Sequence, residues 1–256
     1  MIVTTPHKPT PDLIAYANRI SEELGGRYVP RKQDSLTLLR QRYNDDQLLV
    51  ADDQGLRYYE DSDTPLYFHP SMAYVRVKRL RKGERDPLID VSGCEPGDAV
   101  VDCTAGLGSD SIVFSYAVGA AGHVTALESQ GILSTVVREG LQTYQTNHLD
   151  VNEAFRRITL QNIDHKSWLS SQPDKSVDII YFDPMFRQPL HDSSSMQPLR
   201  GLANREPLDK ESVEHAIRVA RKSVVLKEHR DSSEFDRLGF ERKHVNKIAY
   251  GVIIPT

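Results

Sequence analysis

Cysteine is nearly missing from this chain: Cys94 and Cys103 are the two present. Two cysteines build no disulfide framework, and the nine histidines show no metal-ligand spacing, so no metal site is expected. Long apolar runs are missing as well. No stretch approaches the roughly 20 residues a membrane span needs. Residues 1–11 lack the basic start, apolar centre and small-residue cleavage site of a secretory signal. A cytoplasmic protein with no membrane partner is the expectation. Positive charge is not in excess either: a net charge of −4 argues against indiscriminate nucleic-acid binding while leaving room for a local basic surface. Internal repeats and low-complexity segments are absent. What remains is 256 residues, 39% hydrophobic and 27% charged, an ordinary globular composition with length enough for a large core.

Residues 1–75 read as a small α/β region. Ile2-Val3-Thr4-Thr5 has the character of a short strand, and Thr10-Pro11 opens a helix to about Leu24 that Gly25-Gly26 ends. Residues 27–30 read as a second strand and 35–42 as a short helix. Strands 47–50 and 56–59 form a hairpin turning on Asp52, Asp53 and Gly55. No chemistry is encoded there. Residues 74–85 are basic: Arg76, Lys78, Arg79, Arg81, Lys82 and Arg85 face a single acid, Glu84. Such a run suits a phosphate backbone or a solvated face equally.

Residues 76–256 read as the second domain, and from 99 onward strands and helices alternate. Strands are expected at 99–103, 123–127, 158–161, 177–182 and 223–227, with helices at 109–118, 131–146 and 209–222. Two last strands, about 240–244 and 248–254, leave no room for a helix between them. This pattern predicts an α/β fold: a doubly wound, mostly parallel seven-stranded sheet with an antiparallel edge strand.

The chemistry is concentrated at two strand ends. The run Val100-Val101-Asp102-Cys103-Thr104-Ala105-Gly106-Leu107-Gly108-Ser109-Asp110 is a strand, a glycine turn and a helix start. That geometry brings backbone N–H groups against a nucleoside-bearing ligand. A dinucleotide fingerprint needs a third glycine where Ser111 stands, so a ligand without phosphates fits better. S-adenosylmethionine carries a sulfonium and an ammonium, for which Asp102 is a suitable partner. Alternatively the glycines only permit a turn and Asp102 only caps a helix. Glu128, about 20 residues beyond the turn, is placed to accept from ribose hydroxyls, or else is a surface acid. Asp164, beside His165, suits the exocyclic amine of adenine or an N-cap ahead of Trp168. Trp168 and Cys103 read as core.

The second strand end is Tyr181-Phe182-Asp183-Pro184-Met185-Phe186. Asp183 supplies an acceptor, Pro184 fixes the backbone as the strand stops, and Phe186 offers a ring for stacking. An acceptor, a neighbouring carbonyl and an aromatic plane are what a planar amine such as a nucleobase requires. A turn acid and a core phenylalanine are the plainer alternatives.

The runs Asp102-Cys103-Thr104-Ala105-Gly106-Leu107-Gly108-Ser109-Asp110, Leu127-Glu128 and Asp183-Pro184-Met185-Phe186 resemble the RsmJ family and its uncharacterised Gram-positive relatives. Those enzymes methylate a guanine N2 of small-subunit ribosomal RNA with S-adenosylmethionine. The resemblance spans about residues 76–256. It departs at Ser109, where that family carries arginine, and at Arg187, where a proline usually follows. It implies a class I methyltransferase fold, with cofactor contacts along the turn at Thr104, Ala105, Ser109 and Asp110. Further contacts are implied at Glu128, Ser129, Asp164, His165 and Asp183.

The expectation is therefore a methyltransferase in which Asp102, Gly106, Gly108 and those residues hold S-adenosylmethionine. Asp183, Pro184 and Phe186 carry the reaction on a guanine N2, with ribosomal RNA or the small subunit as partner. An adenine N6 or a protein amide is the competing acceptor. A nucleotide-linked oxidoreductase and a non-catalytic RNA-binding module are the more distant readings.

Overall fold

The computed structural model describes residues 1–60, 64–184, 207–245 and 247–256. In chain order the first elements are β1 (Ile2–Thr4), α1 (Pro11–Glu23), β2 (Arg27–Tyr28), α2 (Leu36–Tyr43), β3 (Leu48–Asp52), β4 (Gly55–Tyr59) and β5 (Leu66–Tyr67). Next come α3 (Ser71–Arg81), α4 (Pro87–Ser92), β6 (Ala99–Asp102), α5 (Ser109–Val118), β7 (His123–Glu128), α6 (Gly131–Thr143), α7 (Leu149–Arg156) and β8 (Ile158–Asn162). The last are α8 (His165–Ser171), β9 (Val177–Phe182), α9 (Lys210–Val219), β10 (Ala220–His229), α10 (Glu234–Leu238), β11 (Glu241–Val245) and β12 (Ile248–Ile253). They divide between two compact units.

The first unit holds residues 1–69 and 131–144. Its sheet runs β2-β1-β3-β4-β5, with β1 parallel to β2 and β3 and the rest antiparallel. Thr10 caps α1 through Leu13 N–H at 3.2 Å, with Pro11 in the first turn where its missing N–H costs nothing. Ile2, Leu39, Leu48 and Val50 form a small core. Helix α6 belongs here: Glu139 and Arg138 on it pair with Arg19 and Glu23 of α1.

The second unit holds the described parts of 70–130, 145–184 and 207–256. Its seven-stranded sheet runs β8-β7-β6-β9-β10-β12-β11. Strands β8 through β10 are mutually parallel, and β12 lies antiparallel between β10 and β11. This is the doubly wound, mostly parallel class with an antiparallel hairpin at one side. The chain moves outward from β6 to β8, then returns to β9 on the other flank of β6. The strand order therefore reverses at β6, and the crevice of such a sheet opens at the carboxyl ends of β6 and β9. One face is packed by Trp168, Leu169, Val213 and Ala216 from α8 and α9 over Val101, Ile180, Phe182 and Leu226. Cys103 lies in the same core, 4% exposed.

Several helices exceed what periodicity predicts. α7 and α8 are short pieces, and α8 exists because Asp164 caps it. The helix expected at 209–222 stops at Val219, because Ala220 already pairs with Val177 of β9. Strand β10 gains length from pairing on both sides, with β9 and β12. The basic stretch is mostly α3, and its charges are largely spoken for. Arg79 pairs with Glu84, Arg81 with Asp150 and Arg85 with Asp90, while Arg76 turns inward. No described helix is long and apolar enough to cross a membrane.

Candidate active site

Strand β6 is buried through Asp102, and the chain then turns through Gly106 and Gly108 at φ of +51° and +76°. Only glycine holds such angles without steric cost, which is why both turn positions need it. Gly108 is also the N-cap of α5 and offers no side chain, so the first N–H groups of that helix lack a capping partner on their own cap residue.

Asp102 braces the turn from beneath. Its Oδ1 accepts from Thr104 N–H at 3.1 Å and its Oδ2 from the Ser111 hydroxyl at 2.5 Å. Burial pushes its carboxyl up to about 7; the Ser111 and Thr104 hydrogen bonds oppose that rise, and Asp110 and Asp183 add to it. The turn is laced to β7 by Ala105 N–H to Leu127 O at 3.0 Å and by Gly106 N–H to Glu128 Oε2 at 3.1 Å. Glu128 Oε1 also accepts from Gln130 N–H at 2.9 Å. Burial raises the half-buried Glu128 carboxyl against these bonds. Ser129 is exposed, and Ser109 half-buried.

Asp164 behaves as an N-cap, its Oδ1 accepting from Lys166 N–H at 3.0 Å and Ser167 N–H at 3.3 Å. The His165 ring stands edge-on to Phe182, 5.7 Å between centroids, and burial lowers its affinity for a proton. Both residues sit at the carboxyl end of β8, two strands from β6.

At the end of β9 the two sequence motifs meet. Asp183 N–H donates to Thr104 Oγ1 at 2.6 Å, and Asp183 and Pro184 are half-buried. Asp183 Oδ2 accepts from Lys227 Nζ at 2.6 Å. The same ammonium reaches Asp110 Oδ2 at 2.9 Å, where the Tyr181 hydroxyl also donates at 2.7 Å. Asp110 Oδ1 accepts from Arg76, which forks onto both oxygens of Asp86 at 2.8 Å. Asp110 is thus the hub of an ion network. The Lys227 and Arg76 charges hold its carboxyl below the ordinary range despite burial. Phe186 lies outside the described residues.

Asp102, Thr104 and Asp183 are therefore joined by direct hydrogen bonds, as Gly106 is to Glu128, and Asp110 joins Asp183 through Lys227. Arg76 and Lys227 escaped sequence reading. Lys227 had a legible signal, a lone cation ending the apolar run Val224-Val225-Leu226. Arg76 had none, being one of six bases in its stretch.

The donor set fits a cationic nucleoside and not a diphosphate. Three carboxylates (Asp86, Asp110 and Asp183) share two cations (Arg76 and Lys227), and residues 102–110 contain no lysine or arginine to grip phosphate. A doubly wound sheet in this order, with a glycine turn after one central strand and Asp-Pro after its neighbour, defines a class I S-adenosylmethionine-dependent methyltransferase. The comparisons place the chain further. Residues 33–241 match the family described as "Putative SAM-dependent methyltransferase", and the chain belongs to that family. It is 38% identical over 254 residues to the uncharacterised protein YpiP of Bacillus subtilis, covering 98% of each chain. It is 30% identical over 151 residues to ribosomal RNA small subunit methyltransferase J of Acinetobacter baumannii. That match covers 57% of this chain and 51% of the relative. The fold is shared with a SAM-dependent methyltransferase from Neisseria gonorrhoeae at a TM-score of 0.66 and 16% identity, covering 100% of this chain and 96% of that one. The cofactor is S-adenosylmethionine.

Proposed function

We propose that this methyltransferase acts on the exocyclic N2 of a guanine in small-subunit ribosomal RNA, in the cytoplasm. The observation that carries the reading is the hydrogen bond from Asp183 N–H to Thr104 Oγ1. It fixes an acidic acceptor and the adjoining Pro184 carbonyl against the glycine turn. The relatives named for small-subunit ribosomal RNA methylation supply the substrate class.

S-adenosylmethionine, when bound, supplies a methyl group on a sulfonium. Thr104, Ala105, Gly106, Gly108, Ser109 and the start of α5 would hold its amino-acid part. Glu128 and Ser129 would hold the ribose, and Asp164 and His165 the adenine side. Asp102 serves by keeping the turn in shape. An aromatic amine is a weak nucleophile because its lone pair is delocalised into the ring. Alignment and electrostatic support for charge growing on nitrogen are then the protein's main contributions. Asp183 Oδ1 and the neighbouring carbonyl accept from the amine N–H groups and aim the lone pair. The amine proton leaves after transfer, so no strong base is needed first. Phe186 is assigned to stacking on the base.

The test is mass spectrometry of small-subunit ribosomal RNA from a deletion strain and from the same strain carrying the gene. One N2-methylguanosine missing in the deletion and restored by the gene is the expected result. Unchanged N2-methylguanosine with a lost methyl on an adenine or a protein amide transfers the reading to that acceptor.

A further inference from the structure

Lys227 lies in β10, on the strand next to the one that leads into Asp183, and its ammonium is shared. It meets Asp183 Oδ2 at 2.6 Å and Asp110 Oδ2 at 2.9 Å. The far side of Asp110 is tied down by Arg76, and Arg76 by Asp86. The Tyr181 hydroxyl adds a bond at 2.7 Å. Lys227 is therefore held from a point that does not depend on Asp183. Among the described residues no donor meets Asp183 Oδ1.

We propose that Lys227 is a positioning residue: it occupies Oδ2 of Asp183 from its anchor on Asp110, keeps that carboxylate charged, and leaves Oδ1 as the acceptor for the substrate amine. This rests on the amine-methylation reading above. The two partners differ in what they lose with the lysine. Asp110 retains Arg76 and Tyr181. Asp183 retains no cation in direct contact among the described residues, while still facing Asp110 from α5, Asp102 from β6 and Glu228 from β10. Arg76 from α3 and the Tyr181 phenol from β9 complete its charged and titratable surroundings. Burial already raises the Asp183 carboxyl, and Lys227 acts the other way. Removing the ammonium therefore drives Asp183 toward its neutral form. A protonated carboxyl presents a donor where the amine needs an acceptor.

The test uses the full chain with aspartate labelled by ¹³C at the side-chain carboxyl, followed by NMR against pH. Asp183→Asn identifies the Asp183 signal. Methyl transfer to small-subunit ribosomal RNA from the deletion strain is measured in parallel. In Lys227→Met the Asp183 midpoint should rise by about one pH unit or more. At neutral pH kcat should fall by roughly tenfold or more, with recovery toward pH 9. The affinity for S-adenosylhomocysteine should stay unchanged. Lys227→Arg, which keeps the charge but not the shape, should restore most of the midpoint. Where Lys227→Met fails to fold, Lys227→Gln reads the same shift. A purely structural lysine would lower thermal stability and leave midpoint and pH profile in place, which overturns the proposal. A shifted midpoint in a protein that never methylates this RNA keeps the charge-holding role and removes the substrate reading. An unshifted midpoint with RNA methylated does the reverse.

Discussion

At the scale of the residue, one atom separates binding from turnover. Asp183 is anchored to the turn by its backbone N–H, not by its carboxylate. Asp183→Ala therefore leaves the turn in place while removing the acceptor. We expect kcat for methyl transfer to fall by about 10²–10³, the usual loss for a positioned electrostatic partner. Calorimetry with S-adenosylhomocysteine should give the parent's affinity; comparable turnover in variant and parent would remove the catalytic role. Asp102 makes a different prediction, on stability. Its carboxyl titrates at about 7 in the folded chain and near 4 when unfolded. The bound proton stabilises the fold fully below about pH 4, and that contribution is lost as pH rises through about 7. Asp102→Asn cannot lose such a proton. Its stability relative to the parent should improve between pH 4 and 8 by an amount on the order of 4 kcal/mol at most. Urea unfolding across that range measures it, and a flat difference rules the protonated form out.

At the scale of the element, α3 buries Ala73 and Val77 and turns one charged side chain, Arg76, inward. Arg76 satisfies Asp86, which itself caps α4 through Leu88 N–H at 3.0 Å, and it balances Asp110 on α5. Arg76→Leu leaves the buried Asp86 carboxylate without its cation and takes one of two cations from Asp110, so unfolding free energy should drop by about 3 kcal/mol. Arg85, 84% exposed and 3.0 Å from Asp90, should show almost no effect on the same replacement. Equal effects at both sites would mean that the inward pairing carries no weight. The same arithmetic holds only Arg76 of the basic stretch away from a phosphate backbone, since the exposed pairs of Arg79, Arg81 and Arg85 cost little to exchange.

For the whole molecule, the prediction concerns the cofactor. A ligand that binds only the folded chain stabilises it by about 2.7 kcal/mol at one hundred times its dissociation constant. For a chain of this size that is a rise in melting temperature of roughly 5–10 °C. S-adenosylhomocysteine should produce it and NADH should not. A shift with NADH alone would revive the oxidoreductase reading, which the missing third glycine and the family membership both oppose.

The sequence by itself determined the class of sheet, the two motifs and the cofactor. Strand periodicity, glycine turns and acids at strand ends are local properties, carried by residues adjacent in the chain. Asp164 as a cap and the glycines at 106 and 108 were legible for the same reason. Tertiary structure decided the rest: that Asp102 and Asp110 turn inward, that Arg76 leaves its basic run, and that Lys227 meets Asp183 across 44 positions of chain. Charges choose partners by distance in space and by what burial leaves unpaired. No spacing along a single strand records that choice.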